Sequence, residues 1–246
     1  KGWIQLFFWS IFTHPILDCF TAYGTQLFAP FSNYRVAFDN ISVADPLYTL
    51  PFLICLIVLM FFRRSSAARG FILKLGLGIS SLYIILTLIN KRHVHNIFKS
   101  SLESEGVEYL RFRSQPTILN NLLWYAVAES DSHYYAAFYS ILDRPNTPKR
   151  WQKISKNHHL IPSSHKDIQT LIWFSNGFYC IAPTENKDTF IYKDLRYPLL
   201  KEDDPNSSVF SFVIKKIDKR WTAMPFYPEN TSEKDLKDFW ERLKGI

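Results

Sequence analysis

Apolar residues crowd the first third of the chain and then give way to a polar, aromatic-rich remainder. Leu47 to Phe62 carries no charged side chain, and Phe71 to Ile89 carries only Lys74, near its beginning. Both predict membrane-spanning helices, since a crossing takes about 20 apolar residues whose backbone groups bond to one another. The first is slightly short and is expected to draw in Val43 to Pro46, which leaves Asp45 at the membrane surface. Trp3 to Thr13 is too short to span alone and reads as the end of a third helix that begins before Lys1; no small-residue cleavage site follows it. Gly76 and Ser80 lie four apart in the last span, a spacing that lets membrane helices approach closely. Helical character continues beyond Asn90, with Gly106 as its stop.

After Pro116 the pattern shifts to short runs of aromatic and β-branched residues: Leu122 to Ala128, Tyr134 to Leu142, Phe178 to Ala182, Thr189 to Tyr192 and Val209 to Ile217. These predict strands of an antiparallel sheet. His165 to Phe174 has helical spacing and ends at Ser175-Asn176-Gly177. A last helix should carry Leu236, Phe239, Trp240 and Leu243 inward behind the N-cap residues Thr231-Ser232 and pack on the sheet. Glu202-Asp203-Asp204-Pro205-Asn206 reads as a solvated loop. The fold class is thus an integral-membrane helical part over residues 1–90, followed by a soluble α+β domain with an antiparallel sheet over residues 91–246.

Charge refines this picture. The net charge of +7 would suit nucleic acid, but several of the basic residues flank the spans, where anionic lipid head groups account for them, and no nucleic-acid motif is present. Arg63, Arg64 and Arg69 stand without an acid in the short loop between the spans. Short basic loops stay in the cytoplasm, so the polar domain and the loop from His14 to Asp45 are expected on the outer side, although Lys91, Arg92 and Lys99 pull the other way. Cys19, Cys55 and Cys180 are odd in number and far apart, which argues against a disulfide framework.

The candidate chemistry starts at His14-Pro15-Ile16-Leu17-Asp18. On a helix, His14 and Asp18 share a face and could hold one ion between an imidazole nitrogen and a carboxylate, with Thr21 on the same stripe. A hydrogen-bonded pair at the helix end is the plainer account. Three features weigh toward a site: Pro15 suits a helix start or kink, Asp18 lies among apolar neighbours, and Asp45 could face the same pocket. His158, His159 and His165 lack acidic partners in regular spacing and read as a solvated loop. Asp194 and Arg196 read as a structural ion pair across a turn.

Thr13-His14-Pro15-Ile16-Leu17-Asp18, Thr21, Tyr23-Gly24-Thr25-Gln26-Leu27-Phe28, Pro30-Phe31-Ser32 and Asp45-Pro46-Leu47-Tyr48-Thr49 together resemble the bacterial YdjM-like family of membrane-bound hydrolases described as metal-dependent. The match in detail covers about the first fifth of the chain, and Asp194-Leu195-Arg196-Tyr197 resembles a segment in the tails of related proteins. The resemblance implies a divalent metal ion, with zinc the first choice, held by His14 and Asp18. Asp45 would be a third ligand or the general base of catalysis. The family's earlier His-rich motif has no counterpart after Lys1, so weak or absent metal binding is expected of residues 1–246 alone. Arg35, Tyr23 and Thr25 become candidate substrate contacts, against simpler roles as head-group anchor, interfacial residue and turn former.

Two functions follow as expectations. One is a bacterial inner-membrane, multi-pass hydrolase acting on a lipid-linked or otherwise membrane-accessible ester. The other is a non-catalytic anchor whose domain over 91–246 binds a protein or envelope component. Membrane lipids are partners in both.

Overall fold

The computed structural model describes residues 2–198, 208–217, 220–226 and 233–246. The predicted loop at Glu202 to Asn206 and the Thr231-Ser232 cap lie outside them. The chain divides into two units, one of residues 1–96 with 115–122 and one of residues 97–114 with 123–246.

The first unit is built on helices α1 (Gly2–Asp18) and α2 (Pro46–Met60) and the greater part of α3 (Ala67–Ser104). α1 has no buried residue, and Trp3, Ile4, Phe7, Phe8, Trp9, Ile11 and Phe12 all stand exposed around it. α2 begins one residue beyond Asp45, with Pro46 at its first position, where a missing N–H costs nothing. It has 15 residues, about 22 Å at the usual helical rise, short of a hydrocarbon core of about 30 Å. α3 has 38 residues, about 57 Å, so it outruns any bilayer and continues to Ser104, with Gly106 beyond it at φ 65°. Among the described residues α3 is the one helix long and apolar enough to cross a membrane.

Gly76 faces α2. A Cβ placed there would lie 2.9 Å from the Cys55 Cβ and 3.4 Å from a Phe52 ring carbon, so the close approach expected from the Gly76/Ser80 spacing is realised at Gly76. Residues 19–45 form a compact loop held by isolated bridges pairing Thr21 with Ile41 and Thr25 with Val36. Gly24 makes the second possible: its φ is 68°, and a Cβ would meet the Val36 carbonyl oxygen at 2.7 Å.

The second unit holds two four-stranded antiparallel sheets where one was expected. β1 (Arg111–Pro116), β2 (Leu123–Glu129), β3 (His133–Ser140) and β4 (Gln152–Ser155) follow in order across the first sheet. β5 (Tyr179–Pro183), β6 (Thr189–Asp194), β7 (Ser211–Ile217) and β8 (Arg220–Phe226) do so across the second. Each sheet is a meander, and α4 (Lys166–Phe174) separates them in sequence. The far end of α3 covers the first sheet: Phe98 and Leu102 are fully buried, and Trp151 donates its indole N–H to Ser101 Oγ at 2.9 Å. On the second sheet, Ile168 and Leu171 of α4 pack with Tyr179, Ile181, Tyr192 and Ile214. α4 stops where expected, with Asn176 at φ 51° and Gly177 at φ 75°.

The expected inner face of the last helix, α5 (Glu233–Leu243), is corrected in part. Leu243 is buried as expected and Phe239 is half-buried, but Leu236 and Trp240 are 54% and 57% exposed, and Arg242 is buried beside Leu243. Arg242 forks onto Asp143 at 2.7 and 2.8 Å and donates to the Phe138 carbonyl at 3.0 Å. A buried bidentate pair of this kind fixes the helix by geometry rather than by an apolar stripe.

Candidate functional site

α1 carries His14 and Asp18 one turn apart in its last two turns, so the side chains fall on one face, as the spacing requires. His14 Nε2 lies 3.4 Å from Asp18 Oδ2, with the side chains 77% and 47% exposed. Pro15 lies inside the helix rather than at its start. The helix ends at Asp18, so Thr21 does not continue the stripe; its hydroxyl caps the end by donating to the Asp18 carbonyl at 2.8 Å. Beside it, Cys19 is buried and donates its thiol to the Pro15 carbonyl at 3.1 Å. Burial pushes that thiol's pKa up.

Asp45 is elsewhere occupied. It is 2% exposed and caps α2: Oδ1 accepts the Leu47 N–H at 2.9 Å, while Oδ2 accepts the Tyr83 hydroxyl of α3 at 2.8 Å. Both carboxylate oxygens are thus engaged. Of the candidate substrate contacts, Thr25 exchanges backbone hydrogen bonds with Val36 at 3.0 and 2.9 Å, Tyr23 stands exposed and Arg35 is half-buried.

Among the described residues the donors that the family resemblance implies are present as one pair, His14 with Asp18. A catalytic ion keeps about three protein ligands. Here one imidazole and one carboxylate stand largely in solvent, and among the described residues no three His, Cys, Asp or Glu side chains gather where an ion could sit. The histidines of the second unit do not gather either. His158 stacks on Tyr179 with centroids 3.9 Å apart, and its Nε2 meets the Tyr179 carbonyl at 2.8 Å. Burial lowers its pKa, so it is packed as a neutral ring rather than solvated.

Sequence reasoning passed over a polar seam in the first unit. Asn40 is fully buried, and its Nδ2 donates to Thr87 Oγ1 at 2.8 Å. Asn121 Nδ2 donates to the Asn40 carbonyl at 2.8 Å, and Asn90 Nδ2 donates to the Asn121 carbonyl and Oδ1 at 2.8 and 2.6 Å. The Leu119 N–H donates to Ser42 Oγ at 3.0 Å. The signal was in the sequence: Tyr83, Thr87 and Asn90 recur at helical spacing in α3, and polar groups among apolar ones in such a helix need partners.

In the second unit, Asp194 and Arg196 are the buried ion pair that their spacing suggested, with Arg196 Nη2 2.7 Å from Asp194 Oδ2 and side chains 1% and 0% exposed. The Arg196 guanidinium also lies 5.0 Å from the Phe174 ring centroid. The pair holds the turn after β6 and has the character of a packing element.

Residues 1–94 match the model of a family described as YdjM inner membrane protein. That stretch contains His14, Asp18 and Asp45, and over it the resemblance stands. No curated protein and no solved structure matches the chain.

Proposed function

We propose, starting from the inner-membrane family matched by residues 1–94, that this is a multi-pass inner-membrane protein whose helical part anchors and displays the α+β domain as a binding module. The observation that carries the reading is the surface of the three helices. α1 buries none of its residues, α2 buries only Leu59, and Phe71, Leu75, Leu82, Ile85, Leu86 and Ile89 of α3 stand exposed. Apolar surface this continuous is costly in water and costless in lipid. The α+β domain lies on the outer side, because Arg63, Arg64 and Arg69 hold the α2–α3 loop in the cytoplasm. Its partner is a protein or envelope component.

Sidedness tests the arrangement. A Lys187→Cys variant, in a chain whose own cysteines are replaced by serine, places a thiol in the exposed connection between β5 and β6. A membrane-impermeant maleimide should label it in spheroplasts. Labelling only after lysis would put the domain in the cytoplasm.

A second reading is metal-dependent hydrolysis of a lipid-linked ester, which rests on the family resemblance and on the 3.4 Å approach of His14 and Asp18. Metal analysis of the full-length protein beside the His14→Ala, Asp18→Ala double variant decides it. Equal metal content in the two removes the site.

A further inference from the structure

We infer that Asp45 is the joint between α2 and α3, positioned by Tyr83, and is neither a metal ligand nor a catalytic base. A carboxylate at an N-cap satisfies an orphan N–H of the first helical turn and sits favourably at the positive end of the helix. Asp45 does this through Oδ1 with Leu47, 2.9 Å away. Its second oxygen takes the hydroxyl of Tyr83 at 2.8 Å, which spans 38 positions of sequence from α2's start to the middle of α3. Tyr48 adds a ring contact to Tyr83, with centroids 6.5 Å apart. At 2% exposure the carboxylate has exchanged its hydration for these two donors, and among the described residues no three His, Cys, Asp or Glu side chains gather where an ion could sit.

The joint matters because α2 and α3 meet again at Gly76 and Cys55, where there is no room for a side chain on the glycine. Two fixed points along a pair of helices set both their spacing and their register. A base must reach its substrate, and a ligand its ion. Asp45 is buried, with one oxygen turned to each helix. His14 and Asp18 lie on a different helix, α1.

The test reads the joint directly and does not depend on whether the protein hydrolyses anything. Cys55 lies half-buried against Gly76, whereas Cys180 is buried in the second unit. Peptide-resolved alkylation of the full-length protein by N-ethylmaleimide reports each thiol separately. Tyr83→Phe and Asp45→Ala should each speed Cys55 alkylation roughly tenfold, the scale of one charge-assisted hydrogen bond, and leave Cys180 unchanged. The double variant should be no faster than Asp45→Ala alone, since both changes break the same contact. Metal content should be the same in the parent and in all three variants. The inference is overturned if Tyr83→Phe leaves Cys55 at the parent rate, if the two effects multiply, or if Asp45→Ala lowers bound metal. Should a variant unfold, Cys180 would accelerate with Cys55, and the milder Tyr83→Phe, which removes a single oxygen atom, then decides. A domain found in the cytoplasm by the sidedness assay would leave all these outcomes standing.

Discussion

Two glycines two residues apart on α3 make a matched experiment. At Gly76 an added Cβ would lie 2.9 Å from the Cys55 Cβ, while at Gly78 it would meet nothing within 4 Å. Ordinary carbon contacts are about 3.5–4.0 Å, so alanine at position 76 demands that the two helices part by on the order of 1 Å. The atom in the way is a Cβ, fixed to the backbone, and cannot swing aside. Replacing glycine by alanine in a helix is worth about 1 kcal/mol in its own right, and overpacking costs about 1–3 kcal/mol. Gly78→Ala should therefore gain about 1 kcal/mol, and Gly76→Ala should end between neutral and about 2 kcal/mol destabilised. For a protein of this size 1 kcal/mol is about 2–4 °C in Tm, so the two variants should bracket the parent in thermal unfolding in detergent micelles. Equal upward shifts at both positions would refute the close packing of α2 on α3.

Three further outcomes follow from the second unit. Asp143→Ala leaves the Arg242 guanidinium buried without its bidentate partner and should cost about 3–5 kcal/mol, read by chemical denaturation of the full-length protein; an Asp143→Leu, Arg242→Met pair should recover most of it. Burial alone would raise the Glu129 carboxyl, but hydrogen bonds from Lys156 and Arg111 more than offset this and hold its pKa below the ordinary glutamate value. Its stabilisation is therefore full above that value and is lost as pH falls below it, so Glu129→Gln should flatten the acid limb of a stability–pH curve. His158, lowered by burial, contributes stability that is present above the ordinary histidine range and lost as pH falls through the depressed value; His158→Phe should flatten the curve below the ordinary histidine range, in a thermal scan at stepped pH.

What could be read from sequence depended on how local each signal was. The helix over Phe71 to Ile89, its continuation toward Gly106 and the stop at Ser175-Asn176-Gly177 each rest on neighbours in sequence, and the structure has them. The strands rich in Tyr, Phe, Val and Ile were likewise visible. β1, β4 and β8 were not: Arg111-Phe-Arg-Ser-Gln-Pro and Gln152-Lys-Ile-Ser lack an apolar run, Arg220-Trp-Thr-Ala-Met-Pro-Phe is interrupted by Pro225, and all three depend on the strands beside them. The division into two sheets is invisible for a related reason: strand runs do not state where a sheet ends. α5 misled because Leu236 and Trp240 have the spacing of a core face, while the anchor is the long-range pair of Arg242 with Asp143. At the candidate site the i,i+4 relation of His14 and Asp18 was legible from spacing. Asp45's engagement was not, since it needs Tyr83 from 38 residues away.

The proposed anchor requires the helical part to lie in the bilayer, and alkaline carbonate extraction of membranes from cells expressing the full chain is the sharpest test of that. Carbonate strips peripheral proteins and leaves embedded ones in the pellet. The exposed apolar surfaces of α1, α2 and α3 predict that the protein stays in the inner-membrane pellet at high pH and leaves it only with detergent. Release into the supernatant by carbonate alone would contradict the account.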